Sequence, residues 1–169
     1  GQRLDIEEVA GVCGVLLSAG NLTTTRLLGN VVADLAADAS AWQALREDPT
    51  RVEAEIERSL RVDSPVQTPI RRTTVDVAIG DVVIPAGHFV TIGIGAANQD
   101  PTALDQPHLA FGFGIHYCLG AALARLEAAV TLRTMASRYR AITLAEPPVR
   151  DDSPAHRGHK RLVLQFERA

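Results

Sequence analysis

The stretch FGFGIHYCLG, Phe111 to Gly120, carries the strongest structural signal in the chain. It is a glycine-rich loop that presents one cysteine, Cys118, directly before a segment with helical spacing of apolar residues. The other cysteine, Cys13, lies far away in an apolar run, so we expect a small buried residue there and no disulfide. The lone thiol beside glycines therefore needs a chemical explanation.

Two kinds of site fit the loop poorly. A phosphate cradle would need a Lys-Ser/Thr ending after the glycines and a strand before them, and the sequence offers neither. A zinc site would need three or four ligands. His116 and Cys118 could supply two, and His156 with His159 is a weak supplement to them. Both hypotheses stay open but are disfavoured.

An iron site with a cysteine thiolate as axial ligand is the third hypothesis, and it fits best. Amide groups of the following helix would favour the anionic sulfur of Cys118, which is the form that binds a metal. Gly112, Gly114 and Gly120 would let the backbone approach a flat macrocycle closely. Phe111 would form an apolar wall against solvent.

Composition limits the classes of protein that this chain can be. It has 169 residues, of which 46% are apolar, enough for one core of ordinary size. The net charge of −3 gives no field that would attract nucleic acid or an anionic membrane. The apolar run Val9 to Ala19 is too short for a membrane span, and residues 1–20 lack a signal-peptide pattern. We therefore expect a cytoplasmic chain that binds neither nucleic acid nor membrane.

Hydrophobic periodicity predicts a mainly α-helical unit with small antiparallel β-sheets. Its longest helix begins with a capping box of Asp5 and Glu8, and the run SAGNLTTTRLL should loosen or kink that helix. A later helix should be capped by Thr50. The single unit 1–169 is predicted to contain helices 4–38, 40–47, 50–62 and 119–138, a β region 73–95, the cysteine loop 111–120, and closing strands within 142–166.

The cysteine loop resembles the haem-binding signature of the cytochrome P450 superfamily, bacterial type. The matching pattern is F-x-x-G-x-x-x-C-x-G, formed by Phe111, Gly114, Cys118 and Gly120 and followed by GAALARLE. AANQDP, RLVLQF and RVDSPVQ are also similar to that family, so the resemblance runs through the whole chain. It implies the C-terminal, haem-binding half of the fold, with Cys118 as proximal ligand of haem b, iron protoporphyrin IX.

The resemblance also assigns a role to the long helix. SAGNLTTTRLL is similar to the groove that lies over the haem in this family, with Ala19, Gly20 and Thr23 in the matching places. In the family the loosened turn admits dioxygen, and the threonine hydroxyl helps to deliver protons. This implies that Ala19, Gly20 and Thr23 belong to the catalytic site.

Further site residues follow from the same resemblance. Arg71, within QTPIRRTTVDVAIGDVVIPAG, and His116 are implied to hold the haem propionates. Each could instead be an ordinary surface residue, a solvated strand charge or a capping histidine. Val66 and Ile70, together with Ala19, are implied to line the substrate side.

Four features depart from the family pattern. The chain begins at the distal helix, so we expect the N-terminal half of the fold to be absent. Leu22 replaces the acid beside the groove threonine. Arg58 stands where the Glu of a Glu-x-x-Arg pair is expected and Arg61 stands at the Arg, although Glu57 could pair with Arg61 at i,i+4. The acidic meander before the cysteine loop, AANQDPTALDQPHLAFG, is short.

The resemblance implies a haem-thiolate monooxygenase, or its C-terminal half, that activates dioxygen to oxidise a small organic substrate. Electrons would come from a ferredoxin-type donor. Arg125, Arg133 and Arg138 could form part of a basic face for such a donor, or a solvated helix face.

The alternative is a catalytically silent relative that binds and stabilises a partner protein. Leu22, Arg58 and the short meander favour it, whereas a pure scaffold would not need Cys118 or Thr23. In either case, apolar surface on the long helix should make the chain pair with a complementary half, a partner or itself.

Overall fold

The computed structural model describes residues 3–169, which form α-helices and short antiparallel strands. The α-helices are α1 (Ile6–Ala37), α2 (Ala39–Glu47), α3 (Val52–Val62), α4 (Ile94–Ala97) and α5 (Ala121–Arg138). The strands are β1 (Ile70–Arg72), β2 (Val77–Ile79), β3 (Val82–Ile84), β4 (Phe89–Thr91), β5 (Tyr139–Leu144), β6 (Val149–Arg150), β7 (His159–Arg161) and β8 (Leu164–Arg168). This confirms the predicted fold class.

Each strand pairs antiparallel with one partner. The pairs are β1 with β4, β2 with β3, β5 with β8, and β6 with β7. Arg71 lies opposite Val90 in the first pair, and the β2–β3 hairpin turns at Gly80, whose φ is +57°. A positive φ at a tight hairpin turn is the conformation that favours glycine.

Helix α1 begins with the expected capping box. The Glu8 amide donates to Asp5 Oδ1 at 2.8 Å, and the Asp5 amide donates to Glu8 Oε2 at 2.9 Å. Helix α1 is continuous from Ile6 to Ala37, so the run SAGNLTTTRLL does not interrupt it, and the expected local loosening or kink stays a prediction. The Thr23 hydroxyl donates to the Ala19 carbonyl at 2.7 Å, and the helix accommodates this bond without a break.

The core is built from the second half of α1, helices α2, α3 and α5, and strand β5. Trp42 is buried and its indole Nε1 donates to the Arg140 carbonyl at 3.2 Å, which ties α2 to β5. The other large buried side chains are Leu27, Val31, Leu35, Leu45, Val52, Ile56, Leu60, Leu132 and Ile142. Packing of these side chains fixes α3 and α5 side by side, and the cysteine loop leads into α5.

The first half of α1 lies outside this core. Residues 3–22 are all exposed, including apolar side chains such as Ile6, Val15 and Leu17. Cys13 is therefore exposed, and the expectation of a buried cysteine is wrong. The apolar run around Cys13 is not buried, because the helices and strand that cover the second half of α1 do not reach its first half.

Element bounds differ from the predictions at several places. The β region starts at Ile70 rather than 73, and Ile94 and Gly95 belong to α4. Helix α5 starts at Ala121, since residues 119–120 form a turn. Closing strands run over 139–144 and 164–168. Within residues 3–169, no helix has both the length and the apolar character to cross a bilayer.

The predicted cap of the third helix is also wrong. The N-cap residue of α3 is Arg51, which makes no side-chain capping bond. Asp48 Oδ1 caps the 3₁₀ turn that precedes α3 and accepts the Thr50 amide at 3.0 Å. A 3₁₀ turn over Pro49–Arg51 then leads into α3. Pro49 suits the first position of this turn because its φ is already fixed near the helical value.

Candidate functional site

The cysteine loop is closed by backbone hydrogen bonds. The Cys118 amide donates to the Phe111 carbonyl at 2.8 Å, so the two ends of the loop lie side by side. The Tyr117 amide donates to the Gly114 carbonyl at 3.0 Å and closes a short 3₁₀ turn inside the loop. These bonds hold Cys118 at a fixed place directly before α5.

Two glycines of the loop have conformations that side chains disfavour. Gly112 has φ +75°, and a Cβ there would lie 3.3 Å from the His116 carbonyl oxygen. Gly114 has φ +65° with open space around it. Gly120 differs, because its φ of −87° is ordinary and a Cβ would lie 3.9 Å from Cys118 Sγ without a clash. Gly112 and Gly114 therefore shape the loop through backbone conformation.

Cys118 is a free, exposed thiol. The expectation that helix amides donate to its sulfur is wrong, since no hydrogen bond within residues 3–169 reaches Cys118 Sγ. The first amide of α5, that of Ala121, donates instead to the Cys118 carbonyl oxygen at 3.3 Å. Because the helix starts two residues later than predicted, its first amide closes a turn on the backbone, and the sulfur stays available as a ligand.

The cysteine loop exposes several large apolar side chains. Phe113 and Ile115 precede Cys118 in the loop, Leu119 follows it directly, and all three are exposed, with Ile115 at 97%. Large apolar side chains exposed together mark a surface that another apolar body covers. A soft sulfur ligand surrounded by apolar groups fits a flat macrocycle with a thiolate-ligated iron.

The two proposed propionate-binding residues lie on exposed backbone segments. Arg71 is in β1, and its Nη1 donates to the Ile70 carbonyl at 2.9 Å. His116 ends the 3₁₀ turn of the cysteine loop. Both side chains are therefore accessible to an anionic group.

The groove residues lie together on α1. Ala19 and Thr23 are joined by the hydroxyl–carbonyl bond, Gly20 has open space around it, and Leu22 is exposed beside them. No hydrogen bond among residues 3–169 joins this turn to the cysteine loop.

Val66 is held by a loop that the sequence interpretation missed. It forms an isolated antiparallel bridge with His156, and the Gln67 amide donates to the Ala155 carbonyl at 2.9 Å. Thr68 Oγ1 donates to the Pro154 carbonyl at 2.9 Å. A cleft of about 480 Å³ lies between these two segments. The turn signal in DDSPAHRG marked the loop, but nothing local indicated its partner.

A buried carboxylate fixes that loop to the end of α3. Asp63 forms ion pairs with Arg150 and Arg157, and its carbonyl accepts from Asn30 Nδ2 at 2.8 Å. Asp151 at the start of the loop also pairs with Arg26 of α1. The Val66 side of the site therefore rests on charged anchors rather than on the apolar core.

The possible i,i+4 pair of Glu57 with Arg61 does not form within residues 3–169. Glu57 instead receives Arg125 Nε at 2.6 Å and Arg125 Nη2 at 3.1 Å, and this guanidinium holds the pKa of Glu57 below its usual range. Arg61 donates to the carbonyls of Asn98 and Gln106. Arg58 pairs with Glu55 at 2.9 Å and with Asp34 at 3.1 Å.

The expected basic face is partly neutralised. Arg125 is paired with Glu57, and Arg133 is paired with Glu53. Arg138 ends α5. Acidic partners on α3 therefore reduce the net positive charge on this side of α5.

Curated proteins similar to this chain are cytochrome P450s and hydroxylases. Cytochrome P450 107B1 of Saccharopolyspora erythraea is 40% identical over 160 residues, covering 88% of this chain and 40% of that protein. Cytochrome P450 119 of Sulfolobus acidocaldarius is 38% identical over 174 residues, covering 96% of this chain and 46% of that protein. The vitamin D(3) 25-hydroxylase of Pseudonocardia autotrophica is 42% identical, covering 78% of this chain and 36% of that protein. No protein-family model matches the chain.

Solved structures with the same fold as this chain are also cytochrome P450s. Cytochrome P450 CYP109Q5 from Chondromyces apiculatus has a TM-score of 0.94 and 36% identity, and the match covers 100% of this chain and 47% of that one. CYP109E1 from Bacillus megaterium, in complex with testosterone, has a TM-score of 0.90 and 33% identity, with 97% of this chain covered and 49% of that one.

The chain belongs to the bacterial type of the cytochrome P450 superfamily. It spans about half the length of the relatives it matches. Membership implies a haem cofactor, and the accessible thiol of Cys118 within an apolar surface fits that group.

Proposed function

We propose that this chain is the C-terminal, haem-binding half of a haem-thiolate monooxygenase, and that residues 1–169 act as a single haem-binding unit. The observation that carries the proposal is the free thiol of Cys118, held in a hydrogen-bonded loop and flanked by exposed apolar side chains. The names of the relatives, hydroxylases and P450 monooxygenases among them, support the same reaction class.

The cofactor is haem b, which when bound would supply dioxygen activation and one-electron chemistry. Cys118 would hold the iron through its thiolate, and Gly112, Gly114 and Gly120 would give the macrocycle room. Phe111 would shield the sulfur side from water. His116 and Arg71, both accessible, would hold the propionates by charge-assisted hydrogen bonds.

Thr23, with Ala19 and Gly20, would form the proton-delivering groove. The Thr23 hydroxyl donates its proton to the Ala19 carbonyl, which leaves its oxygen lone pairs free to accept a hydrogen bond from a water molecule. Leu22 cannot carry a proton, so delivery would depend on Thr23, on water and on the neighbouring Asn21.

The substrate would be a small organic molecule contacted by Val66 and Ile70. These two roles are those that the family resemblance implies; the cleft of about 480 Å³ is lined by the neighbouring Gln67 and Thr68 and not by Val66 or Ile70. Electrons would come from a ferredoxin-type donor, although the pairing of Arg125 and Arg133 leaves a weaker basic face than the sequence predicts. Both cysteines are free and exposed, which suits a reducing compartment, and we propose the cytoplasm.

A specific feature favours a second candidate function. The exposed apolar side chains of residues 3–22 suit a surface that binds a partner protein, a complementary half or a second copy. Together with Leu22 and Arg58, they support a catalytically silent module that stabilises its partner. Product formation with a ferredoxin and its reductase would favour the first candidate. Tight partner binding without turnover would favour the second.

The test of the main proposal is a carbon monoxide spectrum of the haem-reconstituted, reduced chain. We expect a strongly red-shifted Soret band from thiolate ligation, and we expect Cys118→Ala to abolish it. Cys13→Ala is the matched control, because it removes the other exposed thiol and should leave the band unchanged. A band that survives Cys118→Ala, or that the wild-type chain never shows, would refute the assignment.

A further inference from the structure

The carboxylate of Glu57 connects helix α3 to helix α5 and to the segment that enters the cysteine loop. Glu57 of α3 accepts two hydrogen bonds from the guanidinium of Arg125 in α5, Nε to Oε1 at 2.6 Å and Nη2 to Oε2 at 3.1 Å. Its Oε2 also lies 2.9 Å from Nε2 of His108, in the segment that enters the cysteine loop. The His108 side chain is only 8% exposed. A two-pronged pair of this kind fixes direction as well as distance.

The His108 ring has one defined hydrogen-bonding role. Its Nδ1 accepts the Ala110 amide at 3.2 Å, so the ring proton belongs on Nε2, which donates to Glu57. The Leu109 amide donates to Oδ1 of the buried Asn98 at 2.6 Å. The segment directly before Phe111 is therefore fixed by two contacts, the His108 side chain to Glu57 and the Leu109 amide to Asn98.

The Arg125 guanidinium also lies on the cysteine loop itself. Its central carbon is 4.4 Å from the centroid of the Phe111 ring, a cation–π distance. The same ring packs against His108 and Tyr117, at centroid distances of 6.1 Å and 6.5 Å. Because the Phe111 carbonyl accepts the Cys118 amide at 2.8 Å, whatever fixes Phe111 also fixes the backbone of Cys118.

We propose that Glu57, Arg125 and His108 form a clamp that positions Cys118 through Phe111. Arg58 occupies the position where the family pattern has a glutamate, and it forms ion pairs with Glu55 and Asp34. One residue along an α-helix changes the direction of a side chain by roughly 100°. Glu57 therefore faces α5, and its bracing partner comes from Arg125. The three are positioning residues, and the inference rests on the proposed role of Cys118 as haem ligand.

The chain offers a matched control for this clamp. Glu53 and Arg133 form the same kind of pair between the same two helices, α3 and α5. Neither residue hydrogen-bonds to the cysteine loop within residues 3–169. Loss of that pair removes an interhelical ion pair but leaves Phe111 and its contacts in place.

The first experiment follows the thiolate in the haem-reconstituted chain. We compare wild type, Glu57→Gln, Arg125→Lys and the control Glu53→Gln for the rate at which the reduced carbon monoxide complex loses its red-shifted band. Glu57→Gln and Arg125→Lys should accelerate the loss about tenfold, the effect of one charge-assisted hydrogen bond. Lysine keeps the charge but lacks the fork and the planar face that covers Phe111. Glu57→Asp should retain part of the protection.

A second measurement does not depend on haem. Hydrogen exchange of the Cys118 amide reports directly on its bond to the Phe111 carbonyl. In the chain without haem, Glu57→Gln and Arg125→Lys should exchange this amide about tenfold faster, and Glu53→Gln should match wild type. Equal exchange in all four proteins would overturn the clamp. A wild-type chain that lacks the thiolate band would refute the proposed function, and the exchange result would still decide the clamp.

Discussion

Asp63→Asn tests the charged anchor beneath the Val66 side of the site. The Asp63 side chain is 3% exposed and pairs with Arg150 and Arg157. Asparagine keeps the shape of the side chain and removes the charge that both guanidinium groups require. The hydrogen bond from the Asn30 side-chain Nδ2 to the backbone carbonyl of residue 63 does not involve the substituted group.

The magnitude follows from the exposure of the partners. Breaking a fully buried ion pair costs about 3–5 kcal/mol, because an uncompensated charge stays buried. Here the charges left behind belong to Arg150 and Arg157, which are 44% and 46% exposed and can recover hydration. We therefore expect a loss of about 2 kcal/mol in the free energy of unfolding, below the fully buried range.

Urea unfolding measures this loss. With a slope of about 2 kcal/mol per molar urea, the midpoint should fall by roughly 1 M at constant slope. Glu146→Gln is the control, since Glu146 and Arg161 form an exposed, solvent-screened pair whose loss should hardly change stability. If Asp63→Asn lowers the midpoint no more than Glu146→Gln does, the reasoning about the anchor is wrong.

Three further outcomes are expected. Gly114→Ala should cost about 1–2 kcal/mol in urea unfolding because φ is +65°, whereas Gly120→Ala, at φ −87°, should cost less than about 0.5 kcal/mol. Leu132→Ala should cost about 2–5 kcal/mol because the side chain is fully buried in the core, and the exposed Leu119→Ala should be nearly neutral. The lowered pKa of Glu57 implies a stabilisation that is complete above its ordinary value of 4.5 and lost as pH falls through the folded-state pKa. Unfolding midpoints measured from pH 7 to pH 3 should therefore decline less steeply in Glu57→Gln than in wild type, and equal slopes would contradict this.

Local signals in the sequence located much of the fold. The Asp5–Glu8 capping box depends on residues three positions apart, and the structure shows it. Gly112 and Gly114, within the glycine-rich loop, have the positive φ values that such a loop permits. Short-range chemistry of this kind can be predicted because the chain itself brings the groups together.

Interactions between distant segments could not be predicted in the same way. Glu57 meets Arg125, 68 residues away, only because packing of the core places α3 beside α5. The pair at i,i+4 was the sole partner that spacing alone could offer for Glu57. The prediction for Cys13 was wrong because it relied on local signals alone. Its apolar neighbours predicted burial, but this part of α1 lies outside the core.

The two halves of α1 have a mechanical consequence for the groove. The part of the helix outside the core, from Ile6 to Asn21, is about 24 Å long, and Ala19 and Thr23 lie close to where it emerges. They are thus close to a pivot, so a tilt of about 5° would move Ile6 by roughly 2 Å and hardly displace the Thr23 hydroxyl. Whatever packs on the outer part of α1 can adjust its fit while the geometry around Ala19 and Thr23 is preserved.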